Sequence, residues 1–147
     1  MQHKHNKHKI IEQKVRKNSP SLWIKKFPWK KPLGHKYSRG KTIIYGGKKE
    51  FTGATILAAE AALRTGTGSV KIICNKSTLQ TYLLKFPSVL KSEINNLNQL
   101  KKFLKREKIT SILIGPGSGT SIKIKKITKY ILENVKYVVV DADALTC

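Results

Sequence analysis

Acid is what this chain has least of. Asp and Glu together number 8, against 30 Lys and Arg, so the formal net charge is +22. Cysteine is nearly as scarce: only Cys74 and Cys147 are present. That excludes a disulfide framework and a four-cysteine metal centre, and it suits a reducing, cytoplasmic setting. No apolar run approaches the roughly 18 residues of a membrane span, so no membrane role is expected. Met1 to Arg16 is rich in Lys and His with no apolar stretch behind it, which does not read as a secretory signal. No Ser/His/Asp or Cys/His constellation is evident. His35 is the one histidine outside the first 18 residues.

What is present begins with lysine. A charge surplus this large is the usual footprint of a nucleic-acid binder. Yet 26 of the 30 basic residues are Lys and only 4 are Arg. Arginine, with its planar bidentate fork, is the residue that reads phosphates and bases. Ile is also abundant, and Lys and Ile rise together in AT-rich coding sequence. The charge therefore reads as a generally basic surface, with nucleic acid bound only nonspecifically and at low salt.

The length of 147 residues is about one domain. Hydrophobic residues make up 39%, enough for a core. Residues 1–18 read as a basic tail or linker remnant, in which His3, His5 and His8 are solvated rather than metal-binding. Residues 19–40 hold Pro20, Pro28 and Pro32 with Trp23, Phe27 and Trp29 between them. This segment is predicted to be extended and anchored by buried aromatics.

From residue 41 the pattern turns regular. Strands are predicted at 42–45, 70–74, 109–114 and 137–140. Helices are predicted at 53–65, 78–85, 96–106 and 120–134, the last with Ile124, Ile127 and Ile131 on one face. Continuous apolar strands alternating with helices imply an α/β fold: a mainly parallel sheet covered on both faces. In such sheets ligands bind at the carboxyl ends of the strands. Three candidate segments fall there: Gly46-Gly47, Gly115–Gly119 and Asp141–Asp143.

Gly115-Pro116-Gly117-Ser118-Gly119 opens a helix, where free N–H groups and the helix dipole suit a phosphate or pyrophosphate. Its spacing is neither G-x-G-x-x-G nor a Walker pattern, and a tight structural turn fits equally well. Asp141 and Asp143 stand just past a strand, placed to touch a metal, a ribose or a reacting hydroxyl, or to cap the next helix. Gly46-Gly47 with Thr52-Gly53-Ala54 forms a second glycine-lined turn, fit for close ligand approach or close helix–sheet packing.

Together these segments resemble one family, the ATP- or ADP-dependent NAD(P)H-hydrate dehydratases. The matching stretches are His35–Gly40, Gly46-Gly47, Thr52–Ala54, Ala61–Gly68, Ile114–Gly119 and Asp141–Leu145, in order and in register. Asn18–Pro20 and Leu22-Trp23 look like the junction in bifunctional forms, where an epimerase domain precedes the dehydratase. The resemblance implies a ribokinase-like fold and nucleotide-driven removal of water from (S)-NAD(P)H hydrate, a lyase reaction of metabolite repair. It implies that Ala54 and Gly117 contact the hydrated dinucleotide and that Gly53, Gly115 and Gly119 shape the cleft. It implies ADP or ATP as the energy source, its site mostly missing from this chain, with Mg2+ as a candidate ion, and a homo-oligomer for the complete enzyme.

The resemblance also implies departures. The family continues past its D-A-D-A-L with T-P-H-P-G-E and with a G-T-G-D loop carrying the catalytic Asp, whereas this chain reads Thr146-Cys147 and stops. Lys48 stands where the family usually has Ser. Residues 41–147 are therefore expected to be the front half of an incomplete domain. That half would lack the catalytic Asp, offer no metal ligand set, be inactive and poorly stable alone, and need a complementing C-terminal half. Three other readings stay open. They are a fragment of another ribokinase-like small-molecule kinase, a basic nucleic-acid-binding protein, and a decayed gene product.

Overall fold

The structure, a computed structural model, describes residues 16–29 and 32–147. Most of the expected basic tail, with His3, His5 and His8, lies outside the described residues. Five strands form one parallel sheet: β1 (Lys41–Tyr45), β2 (Ser69–Cys74), β3 (Leu90–Glu93), β4 (Ser111–Ile114) and β5 (Tyr137–Val140). Their order is β3-β2-β1-β4-β5, with β1 in the centre and Ile44 registered against both Ile72 and Leu113. The connections are α1 (Thr52–Arg64), α2 (Lys76–Lys85), α3 (Leu97–Arg106) and α4 (Ile122–Asn134), followed by the single turn α5 (Asp143–Thr146).

Local chemistry explains where these helices begin and end. Asn75 and Asn96 accept the Thr78 and Gln99 amides at 3.1 and 2.9 Å, so α2 and α3 each start on a side-chain cap. Ser121 caps α4. Helix α2 stops at Phe86, whose φ of −133° and ψ of 87° lie outside the helical region that the following Pro87 disfavours.

The sheet separates two cores. On one face α1 and α2 cover Ile44, Val70 and Ile72, with Ala59 and Tyr82 from the helices. On the other α3 and α4 cover Ile43, Ile73, Ile112 and Ile114, with Leu100, Ile127 and Ile131 from the helices. Neighbours such as Ile43 and Ile44 thus point to opposite faces, and both are buried. That is why the strands read as unbroken apolar runs. Each fully buried Ile or Leu contributes about 2 kcal/mol.

Two expectations are corrected. The sequence predicts four strands and the structure has five. The missed strand, β3, is Leu-Lys-Ser-Glu at the sheet edge, held by backbone pairing to β2 with no apolar run to announce it. The segment 19–40 is not extended: it makes 3-10 turns at Pro20–Leu22, Ile24–Lys26 and Lys36–Arg39. Nor are its tryptophans buried. Trp23 and Trp29 are 42% and 61% exposed. They pack on Phe27, with ring centroids 5.9 and 4.6 Å away, and each donates its indole N–H locally, to Asn18 Oδ1 and the Ile24 carbonyl. At the opposite edge of the sheet, β5 leaves Tyr137 and Val139 more than half exposed on one face.

One ion cluster ties α3 to the sheet. The Glu107 carboxylate accepts from Lys41 Nζ and, at 2.6 Å, from Lys71 Nζ. These two ammoniums, Lys41 foremost, hold the Glu107 pKa below the ordinary carboxylate value. A depressed folded-state pKa stabilises the fold above the unfolded pKa and is lost as pH falls through the folded one. Glu107→Gln is expected to cost about 1 kcal/mol at pH 7, partial solvation limiting the loss. The gap from wild type should narrow as pH is lowered toward 3; urea midpoints at the two pH values measure it.

Candidate functional site

Strand order places the site. From β1 the chain winds outward through β2 and β3, then returns across the sheet to β4 on the other side of β1. Between β1 and β4 the loops leave in opposite directions, and a crevice opens at the carboxyl ends there. The loop after β1 (residues 46–51) and the loop after β4 (residues 115–121) meet at this point. The Lys48 amide donates to the Gly117 carbonyl at 2.8 Å. A Cβ on Gly47 would lie 2.7 Å from that carbonyl oxygen, and one on Gly117 would lie 2.4 Å from Phe51 Cβ. Neither position admits a side chain unless the loops part.

The third segment locks onto the second. The Gly119 amide donates to Asp143 Oδ2 at 2.7 Å. A Cβ on Gly115, where φ is +131°, would lie 1.7 Å from the Asp141 carbonyl oxygen. Neither acid caps α5. The cap position belongs to Ala142, which sits at φ +43° and ψ −121°, a left-handed conformation uncommon for a residue with a Cβ. Asp141 is exposed at the end of β5, its amide donating to the Ile114 carbonyl. Ala142 makes this turn directly after Asp141, whose carbonyl lies where a Gly115 side chain would be.

The structure therefore divides the residues proposed from sequence. Gly115, Gly117 and Gly119 share one turn, joined by Asp143. Gly53 and Ala54 begin α1 just beyond Phe51. A Cβ added at Gly53 would meet nothing within 4 Å, so this glycine faces open space. The turn is less of an anion cradle than its composition suggests, because several amides already have partners. Ser118 N–H donates to Gly115, Gly119 N–H to Asp143, and Gly47 N–H to the buried Thr55 hydroxyl at 3.1 Å. Sequence reasoning missed what Lys48, Phe51 and Thr55 do. The Lys48 side chain lies across Gly119, where a Cβ would come within 2.6 Å of Cε. Phe51 is 55% exposed against Gly117. One signal marked Lys48: it departs from the resembled motif.

Other nucleophiles and ligands do not converge here. Among the described residues no three His, Cys, Asp or Glu side chains gather as a metal site. Burial first, then the charge of Glu93, pushes the Cys74 thiol up to about 11, which leaves it protonated and unreactive at neutral pH. His35 spends Nδ1 on the Ser38 amide at 3.2 Å, closing a 3-10 turn.

Comparison with known proteins decides the family. The sequence profile of the NAD(P)H-hydrate dehydratases matches residues 42–147. The chain belongs to the NAD(P)H-hydrate dehydratase family. It is 34% identical over 122 residues to the bifunctional NAD(P)H-hydrate repair enzyme of Dictyoglomus turgidum, covering 76% of this chain and 24% of that protein. It is 31% identical to the ADP-dependent (S)-NAD(P)H-hydrate dehydratase of Staphylococcus aureus, covering 81% and 44%. The ADP/ATP-dependent NAD(P)H-hydrate dehydratase of Bacillus subtilis, crystallised with ATP and Mg2+, superposes with a TM-score of 0.68 at 24% identity. That match covers 80% of this chain and 42% of the other, and it shows a shared ribokinase-like α/β fold, as does a ribokinase-like protein of Enterococcus faecalis at 0.69. The chain thus spans a quarter to a half of the length of these relatives.

The two strained points of the glycine turn respond oppositely to substitution. Gly115→Ala is expected to abolish cooperative folding, because its Cβ meets backbone rather than a movable side chain. Ala142→Gly is expected to raise stability by about 1 kcal/mol through relief of the left-handed strain. Thermal and urea denaturation of both variants check this.

Proposed function

We propose that residues 42–147 form the dinucleotide-binding part of an enzyme that dehydrates (S)-NAD(P)H hydrate to NAD(P)H. The observation that supports this reading is the meeting of the two glycine loops at the β1–β4 crevice, with open space beside Gly53. In this reading Ala54 and Gly117 contact the hydrated dinucleotide. Gly53 leaves room for it, and Gly115 and Gly119 fix the turn that presents Gly117. The exposed Phe51 ring offers a flat apolar surface at the same place.

Hydrolysis of ADP or ATP supplies the free energy for expelling water. For Mg2+ the described residues provide no ligand set: Asp143 is engaged by the Gly119 amide, and Asp141 stands alone on the exposed side. The chemistry assigned to these residues is to bind and orient the substrate. The exposed apolar faces of Tyr137, Val139 and Leu145 suit packing by the rest of the dehydratase domain, in a cytoplasmic homo-oligomer.

Binding is the direct test, run at about 0.3 M salt so that the net charge does not hold every anion. Calorimetric titration is expected to show (S)-NADPH hydrate bound more tightly than NADPH. Ala54→Trp should weaken hydrate at least tenfold while leaving the thermal transition in place. Equal binding of hydrate and NADPH, indifferent to Ala54→Trp, would sink the assignment.

A further inference from the structure

The amino end of the sheet, opposite the crevice, carries a second feature. An open groove of about 1000 Å³ runs there between residues 27–29 and 32–40 and the starts of β1 and β4. Phe27, Trp29 and Tyr37 line it with Arg39, Gly40 and Thr110. Trp29 is 61% exposed and Tyr37 71%. Large aromatic faces left in water at this density call for an occupant, since their burial on a partner is favourable.

The surroundings state the partner's charge. Helix α3 runs antiparallel to the strands, so its C-terminal end lies at this same edge. Its last turn and the segment after it bring Lys105, Arg106 and Lys108 to the surface shortly before the groove-lining Thr110. Lys36 sits 5.1 Å from the Tyr37 ring centroid, adding a cation at the rim. None of Lys36, Arg39, Lys105, Arg106 and Lys108 forms an ion pair with a described acid. Glu107, the acid within this run, is turned away onto Lys41 and Lys71.

Exposed aromatic faces beside a track of free cations are the combination that holds single-stranded nucleic acid: bases stack on the rings while lysines follow the phosphates. We propose that this groove and the adjoining end of α3 bind single-stranded nucleic acid without sequence preference. Stacking distinguishes this occupant from other polyanions, which offer no base to a Trp or Tyr face. A duplex hides its bases, and an anionic membrane presents none. The scarcity of Arg agrees with contacts that follow the backbone and do not read base edges. The site lies at the opposite end of the sheet from the dehydratase crevice and stands or falls independently of it.

The full chain, in a Trp23→Phe background, makes Trp29 the reporter. A 20-nucleotide oligo(U) is expected to quench its fluorescence at 50 mM salt. Affinity should fall with log salt at a slope near −3, as release of about four counterions requires. Because these variants remove the reporter, their affinity is read from the anisotropy of a fluorescein-labelled oligo(U): Trp29→Ala combined with Tyr37→Ala should weaken it about 10- to 100-fold, while Trp29→Phe keeps most of the binding. Lys105→Glu with Lys108→Glu should flatten the salt slope by about one unit. Heparin, a 20-base-pair duplex and phosphatidylserine vesicles should bind more weakly and ignore the aromatic substitutions. Oligo(U) binding that matches heparin or duplex, or that survives the double aromatic substitution, would overturn the proposal. So would the absence of binding at 50 mM salt.

Discussion

Everything at the carboxyl edge depends on β1 being hydrogen-bonded on both sides, to β2 and to β4. That central place makes its exit loop and the exit loop of β4 neighbours, although 69 residues separate Thr42 from its partner Ser111. The Lys48 amide and the Gly117 carbonyl then complete a clasp between the loops. Glycine at 47 and 117 follows from the closeness of that clasp, since any Cβ there would meet backbone or Phe51. The meeting of the two glycine loops is thus a by-product of sheet order before it is a property of any one side chain.

The plan of the fold was legible in the sequence because burial leaves a plain trace. Ile43-Ile44 and Ile72-Ile73 are apolar in succession because strands covered on both faces must be, whereas the edge strand β5 is equally apolar with Tyr137 and Val139 exposed. What the trace cannot carry is a strand defined by its backbone alone. Leu90–Glu93 pairs with β2 yet exposes Leu90 and Glu93, so nothing in its composition separates it from loop. The aromatic segment differs from its expected form for a related reason. Tryptophans between prolines suggest anchors, but here they pack on Phe27 and satisfy their own N–H groups within five residues.

At the site, the positions of the glycines were legible and their purposes were not. Gly115 and Gly53 look alike in a sequence; one is crushed against the Asp141 carbonyl and the other faces open space. Asp143 illustrates the same limit. Two acids after a strand suggest a metal, a sugar or a helix cap, whereas this carboxylate reaches an amide 24 residues away. No local pattern encodes a contact of that range. The consequence is that the glycine turn is held rigid by its own partners, so shape and apolar surface carry more of any ligand recognition there than free amides do.

The shortage of acid has a consequence for the molecule as a polyelectrolyte. Among the described residues only Glu107 and Glu60 make ion pairs, with Lys41, Lys71 and Arg64. The remaining cations repel one another across the surface, and at physiological ionic strength that repulsion is felt over roughly 8 Å. Folding draws these charges together without supplying counter-charges from the chain itself. The solvent's anions must do so. Added salt, which loosens proteins laced with surface ion pairs, condenses this one, and its compactness is set in part by the buffer around it.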